Sequence, residues 1–510
     1  MIIIGKAIKS GIVLNEKLRK PSDVKLSQKN TLLKLLKKAK NTQFGKEYNF
    51  SSIISSSDPE RYFRENLPIF DYDKLYEEWW RYSLEGKENI CWPGKIKYFA
   101  LSSGTSGSPS KRIPVTSDMI QAIKKAGFNQ LSAVKNHPVD KNIYGTQMLL
   151  LGGSTKLEKT LKHYSGDLSG ILTANLPLWL NFIYKPGIQI SKERDWNTKI
   201  EKIILEAPNW NIGIISGVPS WVKLLIEKII DYHHLDNIHD IWPNLSIYSH
   251  GGVSLKPYKD GLKKLMGKEI YFLETYLASE GFIAYEKMAN EGMSLILGNG
   301  IYYEFIPFDN EHFDTEGKLI SSEGVVNYDS IQEGVEYALL MSTCSGTWRY
   351  LIGDTVKFVN NKIQITGRIK HFLSLCGEHL SVDNMNDAIK MLSKATSSSI
   401  NEFTVAGSSY QKGFSHKWYI SMDSLNQDVI SCEKMLDGFL QALNDDYKTE
   451  RKSVLLKVNV IFVPEHLFYS WMEAESKIGG QAKFPRVLNG KQLNSWENHL
   501  RSNGIKSSIN

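Results

Sequence analysis

The feature that most constrains this chain is a recurrence of short apolar runs: YFALSS, QMLLLGG, NIGIISG, SIYSHGG, IYFLETY and YALLMST. Helical patterns separate them between about residues 98 and 360. Apolar runs of this length read as strands, and strands alternating with helices argue for an α/β domain. Several runs end in Gly or Ser clusters. In α/β sheets ligands collect where strands end, so those clusters are where a site is expected.

Near residue 360 the pattern changes. The stretch VKFVNNKIQITGR reads as a hairpin turning at Asn360 and Asn361, and the chain beyond it mixes helix and strand signals. A boundary there gives residues 1–366 as a large N-terminal α/β domain and residues 367–510 as a smaller α+β C-terminal domain, long enough to fold as a unit. Upstream, TLLKLLKKAK sets Leu32, Leu35, Leu36 and Ala39 on one helical face and lysines on the other, the pattern of a surface helix.

Composition narrows the function. The chain has 510 residues and a net charge of +7, from 62 Lys and Arg against 55 Asp and Glu, spread along its length. That excess favours anionic small ligands and is too diffuse for a nucleic-acid surface. The four cysteines, Cys91, Cys344, Cys376 and Cys432, lack the spacing of a zinc site or a disulfide framework. MIIIGKAIKSGIVL lacks the long apolar core of a signal peptide and no run is long enough to span a membrane, so a soluble cytoplasmic protein is expected.

Four segments carry chemistry. In ALSSGTSGSPSKRIPVT, Ser102, Ser103, Gly104, Thr105, Ser106 and Gly107 follow an apolar strand, with Lys111 and Arg112 close behind. Small residues let backbone N–H groups approach phosphate oxygens, and hydroxyls add donors. This is not the Walker pattern, which speaks against kinase or GTPase chemistry. In ETYLASEGF, Tyr276, Ser279 and Glu280 follow a strand; Glu280 is either a loop carboxylate or a ligand for Mg²⁺ on a triphosphate. In WRYLIGDTVKF, Arg349, Gly353 and Asp354 punctuate apolar sequence, and Asp354 is either a turn residue or an acceptor for two ribose hydroxyls. In SHGG, Gly251 and Gly252 form either a plain turn or a bare surface for an adenine ring.

Taken together and in this order, these segments resemble the adenylate-forming ligases, and among them the auxin-responsive acyl-acid amido synthetases, the Gretchen Hagen three family. The resemblance also covers LPIFDYDKL, ITGRIKHFLSLCGEHLSVDNM and GGQAKFPR. It implies that Ser102 to Ser106 form the phosphate loop with Lys111 behind it, and that Tyr276, Ser279 and Glu280 lie at the adenine and α-phosphate with Glu280 holding magnesium. It implies that Asp354 holds the ribose, with Arg349 in the same motif. Gly367 and Arg368 would form a hinge for a mobile C-terminal domain, and Lys483 would be the lysine which that domain brings to the phosphates.

The implied reaction uses ATP and Mg²⁺ to activate a small carboxylic acid as an acyl-adenylate, releasing pyrophosphate, then passes the acyl group to an amine, commonly an amino acid, leaving AMP. His379 is a candidate base for the amine. Leu176, Leu178, Trp179, Phe182 and Val218 to Trp221 are candidate walls for the acid, if they are not ordinary core. The alternatives are transfer to coenzyme A, and a nucleotide-binding homologue without catalysis.

Overall fold

The computed structural model describes residues 23–102, 111–140, 142–177, 180, 182–256, 258–314, 317–369, 378, 380–411, 413–422, 428–451, 455–475, 483–488 and 490–505. A twelve-stranded sheet organises the larger part. One half is parallel and runs in the order Tyr184–Lys185, Gln147–Leu151, Ile212–Gly217, Ile247–Gly251, Tyr271–Ala278. Its inner strands bury Leu149, Ile212, Ile215 and Ile247 on the two faces, as a sheet covered by helices must.

The covering helices follow from sequence. Trp196–Glu206 is capped by Asp195 and buries Trp196, Ile200, Ile203 and Ile204. Pro219–His233 starts with proline in its first turn, where no amide partner is lost, and buries Trp221, Val222, Leu225, Ile226 and Ile229 at helical spacing.

The sheet turns antiparallel at a hairpin whose two-residue turn is Ser279 and Glu280. Beyond it lie Gly281–Glu286, Met293–Leu295, Lys362–Arg368, Thr347–Val359, Glu336–Thr343, Ile301–Pro307 and Val326–Asn327. Asn360 and Asn361 have φ of 52° and 59°, the left-handed pair that a tight hairpin needs and that asparagine tolerates. The turn stands where the sequence puts it. The helix Val24–Ala39 buries Leu32, Leu35, Leu36 and Ala39, again as patterned.

After Arg368 the chain builds a second unit, a four-stranded sheet in the order Leu455–Phe462, Gly413–Ile420, Phe403–Tyr410, Val487–Leu488, with helices Val382–Thr396 and Val429–Leu443. It has its own core around Leu392, Phe403, Trp418 and Leu436. A second cluster joins it to the parallel half, where Trp471, Phe484 and Trp496 share one core with Trp221 and Leu262. Polar contacts accompany it. Tyr258 donates to Glu402 Oε1 at 2.6 Å, and Arg486 reaches Glu402 Oε2 at 2.8 Å and the Tyr258 hydroxyl at 3.0 Å. Lys256 bridges to Asp383 at 2.9 Å and Asp387 at 2.6 Å. Among the described residues no helix is long and apolar enough to cross a membrane, and Cys91, Cys344 and Cys432 are buried free thiols.

Candidate active site

The expected site residues converge at the seam where the sheet changes from parallel to antiparallel. Asp354, on the long strand Thr347–Val359, lies opposite Arg368 in the register of the neighbouring strand. Arg368 Nε donates to Asp354 Oδ1 at 2.7 Å, and the Tyr276 hydroxyl donates to Oδ2 at 2.6 Å. Burial pushes the Asp354 carboxyl up, but the Arg368 charge and these two hydrogen bonds outweigh it and hold the group below the ordinary carboxylate value. Asp354 is therefore an ionised, oriented acceptor. Each oxygen has one protein donor and retains a lone pair, the capacity that paired ribose hydroxyls require.

Glu280 sits on the hairpin turn and is 6% exposed. Burial raises its pKa to about 7 and Asp354 adds to the rise, while Arg368 and Lys111 work against it. A buried carboxyl poised near neutrality, facing two cations, suits a hydrated divalent ion that completes its coordination with phosphate oxygens. Among the described residues no three His, Cys, Asp or Glu side chains form a metal cluster, and a magnesium ion on a nucleotide needs only one or two carboxylates beside the phosphates. Magnesium on a nucleotide is commonly held that way, and the donor set fits it.

The phosphate-loop stems are in place. Tyr98–Ser102 pairs antiparallel with Lys111–Val115, setting Lys111 opposite Ser102. Lys111 Nζ lies 5.2 Å from the centre of the Tyr72 ring, and its charge reaches Glu280. Ser103, Gly104, Thr105 and Ser106 lie outside the described residues, as do Leu178, Trp179, Cys376 and His379.

Lys483 comes from the second unit and lies over Gly252. A Cβ on Gly252 would stand 3.3 Å from Lys483 Cε and 3.5 Å from Nζ. Gly252 has φ of 87° and leaves the ammonium room. Solvent still reaches this side chain. The surrounding protein lowers its pKa to about 8, the Arg368 charge adding and Asp354 opposing. Gly251 has a different reason to be glycine, since a Cβ there would fall 2.4 Å from the Thr275 carbonyl oxygen on the next strand. The adjacent His250 is buried and neutral, its pKa pushed down to about 3 by burial.

Arg349 corrects an expectation. It is 3% exposed with φ of 39°, and it donates from Nε to Glu304 Oε2 at 3.1 Å and from Nη1 to the carbonyls of Arg64 at 2.9 Å and Leu67 at 2.5 Å. Three of its five N–H donors staple the N-terminal helices to the sheet, the geometry of a structural cation. In its place Tyr350, fully buried, faces Glu280 and Arg368. Ser279 sits half-buried on the turn beside Glu280. Of the candidate acid walls, Val218 and Trp221 are buried, Leu176 is half-buried, and Phe182 is 66% exposed.

Comparison with known proteins identifies the family. Residues 14–161 and 154–270 match the GH3 family N-terminal domain, residues 294–368 its central domain and residues 383–492 its C-terminal domain. A probable indole-3-acetic acid-amido synthetase (GH3.6) of Oryza sativa subsp. japonica is 30% identical over 128 residues, spanning 24% of this chain and 25% of that protein. A jasmonoyl-L-amino acid synthetase (JAR6) of Nicotiana attenuata is 22% identical over 94% of each chain. The solved GH3.15 acyl acid amido synthetase superposes over 96% of each chain with a TM-score of 0.78 at 17% identity, which establishes a shared fold. The three matched domains cover most of the chain in order, with Tyr276, Glu280, Asp354 and Arg368 gathered at one seam, and the chain belongs to the GH3 family.

Proposed function

We propose that this protein is an ATP-dependent, AMP-forming acyl-acid amido synthetase: it activates a small carboxylic acid as an acyl-adenylate, releases pyrophosphate, and transfers the acyl group to an amine, an amino acid by preference. The observation that carries this reading is the seam itself. An ionised carboxylate held by two donors, a second buried carboxyl with a raised pKa and lysines from two separate parts of the chain meet there, which supports binding of a ribose, a magnesium ion and phosphates.

A carboxylate does not acylate an amine at neutral pH, because its leaving group would be oxide; joining that oxygen to AMP makes it a phosphate leaving group. Asp354 would accept from the ribose hydroxyls and fix the nucleotide, with Tyr276 and Arg368 holding the carboxylate in place. Lys111 and Lys483 would stabilise charge on the departing pyrophosphate, the kind of preorganised electrostatic catalysis that needs no covalent enzyme nucleophile. Magnesium held at Glu280 would neutralise phosphate charge. Gly367 and Arg368 are the proposed hinge, with residues 1–366 and 367–510 as the moving bodies. Withdrawing Lys483 for the second step would separate Tyr258 from Glu402 and Arg486, and Lys256 from Asp383 and Asp387. The three family matches favour an amine over coenzyme A as acceptor.

The test is acid-dependent pyrophosphate release from Mg-ATP over a panel of small acids, with amino acids or coenzyme A added, beside Asp354→Ala. Release that needs an acid, rises with amino acids and vanishes in the variant supports the reading. Stimulation by coenzyme A alone moves it to a thioester ligase.

A further inference from the structure

The parallel strands end in a row, and the nucleotide seam occupies only one side of it. Stepping away from Gly252, the next strand ends at Gly217 and the one after at Leu151, with Gly152 and Gly153 directly behind it. Two strand spacings put that third end roughly 10 Å from Lys483's position over Gly252. There the fold sets two ionisable groups, Asp167 and Lys199, that adenylation at the seam does not use.

Both are unusual. Lys199 falls on the apolar face of its helix beside Ile200 and Ile203 and is 3% exposed. Its Nζ donates to the Gly152 carbonyl at 3.2 Å and lies 6.0 Å from the centre of the Trp196 ring. Burial lowers its pKa to about 8, opposed by Asp167 and Glu193. Asp167 precedes the helix Leu168–Ala174 but caps none of its amides. Its Oδ2 rests against Gly153, where a Cβ would come within 2.0 Å, so the glycine is what lets the carboxyl lie there. Ser169 fixes the glycine turn by accepting from Gly153 N at 3.0 Å. Burial raises the Asp167 pKa and Lys199 opposes the rise, yet among the described residues the two form no salt bridge and the carboxyl has no hydrogen-bond donor.

Asp167 is half-buried, so solvent reaches its carboxyl, and an acceptor with no protein donor beside a cation with spare protons suits a ligand group that both donates and accepts. A hydroxyl or a carboxamide satisfies both. An ammonium would be opposed by Lys199, and a hydrocarbon would displace water from Asp167 while giving its carboxyl no donor. The acceptor amine cannot sit here, since it must reach the acyl carbon at the nucleotide end. We propose that Asp167 and Lys199 close the far end of the acyl-acid pocket and select acids that carry a hydroxyl or carboxamide at the end remote from the carboxylate. This rests on the ligase reading. The acid would run from Lys483 across the end of the Ile212–Gly217 strand to Asp167.

Matched pairs test it: para-hydroxyphenylpropanoate against phenylpropanoate, and para-coumarate against cinnamate, each assayed by pyrophosphate release with wild type, Asp167→Asn and Asp167→Ser. The expected result is a preference for the hydroxylated acid of at least about tenfold in kcat/KM, carried mainly by KM, because a site built around a substrate hydroxyl discriminates against its absence. In both variants that ratio collapses toward one. Equal kcat/KM for the members of each pair in wild type, or an unchanged ratio in both variants, overturns the inference while leaving the ligase reading intact. A variant effect confined to the KM of the amino acid also overturns it, in favour of an acceptor subsite. No release with any acid sinks the ligase reading, and the inference with it.

Discussion

The fold opposes the ionisation of Glu280, so Glu280→Gln should make the ligand-free protein more stable at alkaline pH while removing its chemistry. The carboxyl titrates near its ordinary 4.5 in the unfolded chain and at about 7 in the folded one. The folded protein therefore keeps a proton that the unfolded chain has lost between those values. Its contribution to stability is fully present below about pH 4.5, fades as pH rises, and is gone above about 7. At 1.36 kcal/mol per pKa unit the swing is about 3 kcal/mol. With only 6% of the residue exposed, solvent screening takes little from this. Urea denaturation of both proteins in EDTA, without nucleotide, from pH 4.5 to 9 reads it directly. Other groups titrate alike in the two proteins, so the difference between the curves isolates Glu280. The variant should gain on wild type up to about pH 7 and hold a constant lead above it. Parallel curves across the whole range would refute the environment assigned to Glu280.

Two further substitutions separate chemistry from scaffolding. Lys483→Met should slow acid-dependent pyrophosphate release by about two to three orders of magnitude, since it removes a preorganised cation; transfer of a chemically supplied acyl-adenylate to an amino acid should change only a few-fold, and equal damage to both steps would place Lys483 elsewhere in the cycle. Arg349→Met should cost about 3–5 kcal/mol of stability by stranding Glu304, which is 2% exposed, with only Arg64 at 3.7 Å. Calorimetry on the folded variant should find nucleotide affinity within about twofold of wild type, and loss of affinity at intact stability would restore Arg349 to the site.

Much of this was legible in the sequence, because short-range patterns decide it. Apolar runs ending in glycine became strands ending at the site, and the Asn360–Asn361 pair became the turn. What the sequence hides is which face a residue takes. Arg349 and Asp354 share one motif, but Arg349 has φ of 39° in a bulge of the strand they share and turns away to Glu304. Tyr350 faces the site instead. The contact of Lys483 with Gly252 spans more than two hundred residues and left no local trace; only the resemblance located it. Lys199 did leave one, a lysine at the position where the helix pattern Trp196, Ile200, Ile203 calls for an apolar residue.

The most direct test of the central claim traces oxygen. With an accepted acid labelled with oxygen-18 in both carboxyl positions, ATP and an amino acid, the products are analysed by mass spectrometry. If the acid attacks the α-phosphorus, one labelled oxygen appears in AMP and the other stays in the amide. Label in inorganic phosphate with release of ADP would mean an acyl phosphate, and the adenylating role given to this seam would be wrong.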